Sequence, residues 1–291
     1  MNLERFGRWR WLVGLLAGAV FFGLAYVLML FVPTPGADFH APDSPFIDYP
    51  PWITILVLPV RSLAIANALT LTALAFALWR SNAKPIHFLL AFTSMPLYAN
   101  LWLGQYEFIP LLGLTLLPWG LPLAVTKPQV AFWGVAAWWL RQPNKWKIAM
   151  AVVGGVMLSF LVYGWWPARL QSPTTLNTFY NLSAWYWGGP LVGLIAVVAT
   201  LAVTLKTRDV DQAMALGALA TPYIQNHSYL LLLPAFARLS GWRLLGVWLM
   251  SWVGVVSMFL GDAARVLALL FPLAMWAALH WNSSRLPEQV S

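Results

Sequence analysis

The sequence predicts an all-α polytopic integral membrane protein, and three observations lead to this fold class. Of the 291 residues, 60% are apolar and only 9% are charged, which is too little charge to cover the surface of a soluble domain. The chain also holds 19 Trp, a residue typical of the bilayer interface. Its long apolar runs are predicted to be helices, because a bilayer core leaves backbone polar groups no partner outside the chain.

The apolar runs follow one another along a single predicted transmembrane domain, residues 1–291. The first run follows three arginines and is too long for a signal-peptide core, so it is predicted to be a retained span. Several runs are shorter than the roughly 20 helical residues that cross a bilayer, and these are predicted to be half-helices or parts of bent spans. We expect about ten membrane segments from the runs at 11–32, 52–79, 86–103, 106–125, 130–140, 148–163, 190–205, 213–223, 229–237, 244–260 and 266–281.

Segment 106–125 decides the topology, because its five Pro and Gly residues allow it either to cross once or to dip in and return. The positive-inside rule favours a return, since a single crossing would spread the basic residues almost evenly over both faces. With a return, the N-terminal face carries Arg5, Arg8, Arg10, Arg80, Lys84, Arg141, Lys145, Lys147, Lys206, Arg208, Arg238, Arg243 and Arg285. We therefore predict a re-entrant helical hairpin, both termini in the cytoplasm, and Gln105 and Lys127 towards the outer face.

Residue counts argue against several kinds of site. The chain has no Cys, which excludes disulfides, thiolate nucleophiles and Cys-ligated metals. Its four His are scattered along the chain, so no metal site or other cofactor is predicted. The basic residues stand singly between apolar runs, which is not the pattern of a nucleic-acid-binding surface.

Four polar residues lie in one of the most apolar stretches of the chain: Gln105, Glu107, Lys127 and Gln129. A charged or amide side chain at membrane depth costs several kcal/mol, by order of magnitude, unless it is paired or hydrated. Such residues mark a functional site or a water-filled cavity, and this segment is the first place to look for chemistry.

Five short motifs follow one another along the chain: Asp38-Phe39, Tyr49-Pro50-Pro51, Gly104-Gln105, Lys127-Pro128-Gln129 and Thr221-Pro222 followed by His227-Ser228-Tyr229. In this order they resemble glycosyltransferase family 87, the polyprenyl-phosphate-mannose-dependent, mannosyltransferase-like membrane proteins of the GT-C superfamily. The resemblance covers about residues 38–237 and implies a GT-C-like helical bundle. The stretches 38–49 and 105–127 are shorter than in the family, so the chain resembles a shortened member.

The resemblance implies transfer of mannose or a related hexose from a polyprenyl phosphate to a hydroxyl of a lipid or glycan acceptor on the outer face. Asp38 matches the family's Asp-Phe pair and would be the general base, with Asp48 as the second candidate. One base suffices, because a polyprenyl phosphate leaves as an anion and a single displacement inverts the anomeric carbon. The plainer alternatives are a solvated loop carboxylate for Asp38 and a Pro-directed turn for Asp48.

The remaining candidate residues would bind the substrate. Lys127 would stabilise the leaving phosphate, unless it only extends towards the outer membrane interface. His227, beside Asn226, would donate to the phosphate or to a sugar hydroxyl, or else form a cap or an interhelical hydrogen bond. Gln105 would position the substrate or else form an interhelical hydrogen bond. Gln129 likewise would bind the substrate or form an interhelical hydrogen bond.

Two other classes of function stay open. A non-enzymatic membrane subunit or lipid-binding scaffold derived from the same fold would explain the shortened outer loop. A small transporter would also use broken helices with polar residues, although the sequence shows no internal repeat. In every case the expected partners are membrane lipids, and for an enzyme also the lipid-linked sugar and its acceptor.

Overall fold

The structure is a computed structural model that describes residues 3–32, 60, 62–165, 181–260 and 262–283. All regular structure in these residues is helical, with no strand, which confirms the predicted all-α class for this part of the chain. The α-helices are α1 (Leu3–Phe31), α2 (Leu63–Arg80), α3 (Pro85–Phe92), α4 (Met95–Leu103), α5 (Phe108–Thr115), α6 (Leu121–Ala124), α7 (Pro128–Arg141), α8 (Lys145–Tyr163), α9 (Ala184–Thr207), α10 (Val210–Ala220), α11 (Gly241–Leu260) and α12 (Leu270–Ser283). Two 3₁₀ helices, Asn226–Arg238 and Asp262–Leu269, precede α11 and α12 respectively.

Three of the described helices, α2, α8 and α9, are long and apolar enough to cross a membrane. Helices α3 and α4 meet at an angle of 49° and pass the same test together, which makes a possible fourth span. The expectation of about ten membrane segments is therefore not supported by helix length and composition in the described residues. The reason is that Gly and Pro divide apolar runs into short helices, such as the eight-residue α5 and the four-residue α6 of segment 106–125, that cannot cross a bilayer alone.

Segment 106–125 folds back on itself, as predicted for a hairpin. Helices α5 and α6 pack against each other across the turn at 116–120. Their close approach needs two glycines, because a Cβ on Gly113 would lie 2.1 Å from the Ala124 nitrogen and one on Gly120 would lie 2.2 Å from the Gly113 oxygen. The depth of this hairpin in a bilayer stays a prediction.

The core of the described chain lies around α10 and the 3₁₀ helix Asn226–Arg238. Every residue of α10 from Gln212 to Ala220 is buried. Helix α7 packs closely on it, and a Cβ on Gly217 would lie only 2.3 Å from the Trp133 ring. Helices α2 and α4 complete this core, linked to each other by a hydrogen bond from Thr70 Oγ1 to Asn100 Oδ1 of 3.2 Å. The core thus brings together residues that are distant in the sequence.

Several polar loops gather at one end of the molecule. Arg238 Nη1 lies 2.7 Å from Asp209 Oδ1 in the loop between α9 and α10. The Arg238 carbonyl accepts a 2.7 Å hydrogen bond from Asn282 Nδ2 near the end of α12. The next residue, Leu239, has its carbonyl oxygen 3.0 Å from His87 Nε2, at the start of α3.

Arg141, at the end of α7, belongs to the same end of the molecule. Burial raises the pKa of the Asp209 carboxyl, but the hydrogen bonds and charge of Arg238, a hydrogen bond from the Gln212 backbone and the charge of Arg141 together lower it below its usual value. Arg141 is thus near enough to Asp209 for their charges to interact. Several basic residues that the predicted topology places on one face therefore share one end of the fold, and the face of the bilayer to which that end belongs stays a prediction.

Candidate functional site

Glu107 stands at the centre of a buried polar cluster, just beyond the end of α4. Helix α4 ends at Gly104, whose positive φ of 73° is a conformation that glycine adopts without a steric penalty. The chain then turns, and Glu107 immediately precedes α5 with a relative exposure of 0%. A carboxylate at such a position needs partners, because an isolated buried charge is too costly to maintain.

Lys127 supplies the opposite charge from the other end of the hairpin. It immediately precedes α7, whose first residue is Pro128, and Pro is favoured at that position because its missing N–H is not needed there. Lys127 is itself 8% exposed, and its Nζ lies 2.5 Å from Glu107 Oε1. The fold-back of segment 106–125 therefore creates a buried ion pair at its two ends.

The 3₁₀ helix Asn226–Arg238 brings two more side chains to the same oxygen. Ser228 Oγ donates a 3.0 Å hydrogen bond to Glu107 Oε1. His227 Nε2 lies 3.3 Å from this oxygen, and because an ionised carboxylate can only accept, the contact favours the hydrogen on Nε2. Both residues are buried. Three side chains from two separate segments thus converge on one carboxylate oxygen.

Two polar atoms of this cluster have no hydrogen-bond partner among the described residues. They are Glu107 Oε2 and His227 Nδ1. Burial disfavours the charged imidazolium, and in a neutral imidazole with its hydrogen on Nε2 the other nitrogen, Nδ1, is an acceptor. The carboxylate and the Lys127 ammonium cancel in charge, so the cluster is formally neutral and presents two buried acceptors.

The segment that leads into His227 is held in place by Asn181, which the sequence analysis did not single out. Its Nδ2 donates to the Pro222 carbonyl at 3.0 Å, and its Oδ1 accepts from the Ile224 N–H at 3.3 Å. Its neighbour Leu182 donates its backbone N–H to the Ile224 carbonyl at 2.8 Å. These bonds brace the connection between α10 and the 3₁₀ helix that carries His227.

The other substrate-binding candidates, Gln105, Gln129 and Asn226, lie one or two positions from Glu107, Lys127 and His227 in the sequence. Gln105 is half-buried just after α4. The Gln129 carbonyl accepts a 2.9 Å hydrogen bond from Thr221 Oγ1, which ties the start of α7 to the end of α10. The Asn226 side chain lies against α11, where a Cβ on Gly254 would come 3.0 Å from its Oδ1.

The sequence predicts Lys127 and His227 in one site, and in the structure both contact Glu107 Oε1. It predicts no role for Glu107 or Ser228, although Glu107 is a charged residue in an apolar stretch and Ser228 belongs to the His227 motif. Asp38 and Asp48, the two candidate bases, lie outside the described residues, as do Phe39 and the Tyr49-Pro50-Pro51 turn.

Within the described ranges, no group of three or more His, Asp or Glu side chains could hold a metal ion. No family model, curated protein or solved structure matches the chain. The resemblance to glycosyltransferase family 87 therefore rests on the motifs alone.

Proposed function

We propose that this protein is a GT-C-type membrane glycosyltransferase that moves a hexose from a polyprenyl phosphate to an acceptor hydroxyl on the outer face. The observation that carries the proposal is the convergence of its motif residues. Lys127 and Ser228 lie 20 and 121 positions from Glu107 in sequence, yet both bind its Oε1. Motifs that resemble one family and that meet around one buried carboxylate are consistent with a single site.

Lys127 is the proposed cation for the leaving phosphate. An ammonium has three N–H donors, so its bond to Glu107 is compatible with a further contact to a phosphate oxygen. Glu107 then limits the directions in which the Lys127 ammonium points, and such preorganisation favours charge stabilisation in a transition state.

The proposed base is Asp38, with Asp48 as the second candidate. The carboxylate takes the proton of the acceptor hydroxyl as the hydroxyl oxygen bonds to the anomeric carbon, and the bond from that carbon to the polyprenyl phosphate breaks. The electron pair leaves with the phosphate, and the configuration inverts. The amides of Gln105, Gln129 and Asn226 are the proposed hydrogen-bonding groups for the substrate.

A transfer assay tests this function directly. Membranes that contain the protein are incubated with polyprenyl-phosphate mannose labelled in the sugar, and label in the acceptor fraction is measured. We expect transfer by the wild type and a loss of about 10²-fold or more for Asp38→Asn, because general-base catalysis contributes about 10²–10⁴-fold. Lys206→Gln, an exposed change in the last turn of α9, should retain transfer.

Two outcomes would contradict the proposal at different points. If the wild type transfers no label, the proposed activity is wrong. If the wild type and the Asp38→Asn/Asp48→Asn double variant transfer equally, the assignment of the base is wrong while the activity stands.

The second candidate function is a non-enzymatic membrane subunit or lipid-binding scaffold. The observation that favours it is the burial of Lys127 against Glu107, because an ammonium already paired with a carboxylate has less charge to offer a phosphate. This function predicts that the protein binds a polyprenyl phosphate without transferring the sugar of its mannose derivative.

A further inference from the structure

Glu107 uses one of its two carboxylate oxygens for all of its described contacts. Oε1 accepts from Lys127 at 2.5 Å and from Ser228 at 3.0 Å, and it also faces His227. Oε2 is fully buried and has no partner among the described residues. A buried acceptor in this state has lost its water without gaining a partner, and this desolvation cost is larger when the group is charged. The second oxygen therefore points to a ligand with a hydrogen to donate.

His227 presents a second buried acceptor in the same cluster. Its side chain is 5% exposed, and its Nε2 is directed at Glu107. Its Nδ1 has no partner among the residues that the structure describes. In the neutral imidazole with its hydrogen on Nε2, this nitrogen can only accept.

The chemistry of the two atoms selects among possible ligands. A phosphate oxygen at neutral pH is an acceptor and carries negative charge, so it would face a lone pair of each atom. A sugar hydroxyl donates one hydrogen without bringing charge, and a hexose carries several hydroxyls. The neutral balance of Glu107 and Lys127 also favours an uncharged group beside Oε2.

We propose that Glu107 Oε2 and His227 Nδ1 accept hydrogen bonds from hydroxyls of the donor sugar and form its recognition subsite. The proposal rests on the proposed function, because it takes the ligand to be the sugar of the polyprenyl-phosphate donor. In this arrangement His227 contacts the sugar, and Lys127 contacts the phosphate.

The test compares two lipids that differ only in the sugar. The affinities of purified protein in detergent micelles for polyprenyl-phosphate mannose and for sugar-free polyprenyl phosphate are measured by titration. We expect the wild type to bind the mannose-bearing lipid at least about tenfold more tightly than the sugar-free lipid. A tenfold ratio of affinities corresponds to roughly 1.4 kcal/mol, and the net free energy of a hydrogen bond to a charged group exceeds this value. Glu107→Gln and His227→Phe should each reduce this ratio to about threefold or less while binding of the sugar-free lipid persists.

Ser251→Ala is the control, because it removes a buried polar group that no described contact joins to Glu107 or His227; its Oγ donates to the Trp248 carbonyl at 2.6 Å. It should keep the wild-type ratio. If Glu107→Gln fails to fold, as judged by gel filtration, His227→Phe decides the result.

Two results would overturn the proposal. The first is a wild type with no preference for the sugar, which would mean that water fills these positions. The second is a preference that survives in the folded variants. A sugar preference without any transfer would refute the proposed function, but the sugar subsite would stand. Transfer without a sugar preference would refute the subsite, but the proposed function would stand.

Discussion

Single residues decide whether a charge can exist inside this apolar fold. Glu107 is fully buried, and its Oε1 is bound by an ammonium and a hydroxyl. A buried ion pair is not in itself a strong source of stability, because the desolvation of both groups offsets their attraction. Removal of one partner has a larger effect, because it leaves the other charge buried and unpaired.

We predict that Lys127→Met destabilises the protein strongly. The change leaves the Glu107 carboxylate without its counter-charge, and the loss of one partner of a buried pair costs about 3–5 kcal/mol. Thermal unfolding in detergent micelles measures the effect. The double variant Lys127→Met/Glu107→Leu should recover most of the loss, and Lys206→Met on the exposed part of α9 serves as control. A single variant as stable as the control would show that the pair does not form.

At the level of elements, the Pro and Gly residues of segment 106–125 predicted its fold-back better than the apolar runs predicted the number of spans. Pro and Gly at closely spaced positions in segment 106–125 indicate a broken helix, and helices α5 and α6 are short and packed together. The same kind of residue divides other apolar runs, which is why an apolar run and a membrane span are not equivalent here. In α9, by contrast, the backbone kinks at Gly189 before Pro190, and the helix still passes as one span.

Gly120→Ala should lower the stability of the hairpin. The new Cβ would lie 2.2 Å from the Gly113 carbonyl oxygen, a backbone atom that cannot move aside cheaply. Overpacking of this kind costs about 1–3 kcal/mol. The matched control is Gly154→Ala in α8, where a Cβ would meet nothing within 4 Å. The melting temperatures of the two variants are measured in detergent micelles. Equal values would argue against the tight turn.

At the scale of the whole molecule, the 3₁₀ helix Asn226–Arg238 separates the buried cluster around Glu107 from the end of the fold that carries Arg238 and Arg141. Its first turn carries His227 and Ser228 to Glu107, and its last residue binds Asp209 at the end where Arg141 also lies. This separation is what a membrane protein needs if a basic end stays in the cytoplasm and a polar site opens on the other side.

Single cysteines can test this topology, because the natural chain has no Cys. Ser81→Cys and Asn144→Cys lie in loops that the predicted topology places in the cytoplasm, and Trp165→Cys lies beyond α8 on the predicted outer side. In intact cells, a membrane-impermeant maleimide should label only the cysteine at 165. After permeabilisation it should label all three. Labelling of the cysteine at 144 in intact cells would rule out the return of segment 106–125 to its starting face.

Local features of the sequence were enough to predict helices, some of them long and apolar enough to span a membrane, the fold-back of segment 106–125 and polar side chains inside an apolar fold. Each of these depends on composition or on the spacing of Gly and Pro within one short stretch. The meeting of Glu107 with Lys127 and Ser228, across 20 and 121 positions, was decided only by the packed fold. Which side chains meet depends on how α4, α7 and the 3₁₀ helix pack in three dimensions, and a one-dimensional pattern does not contain that geometry.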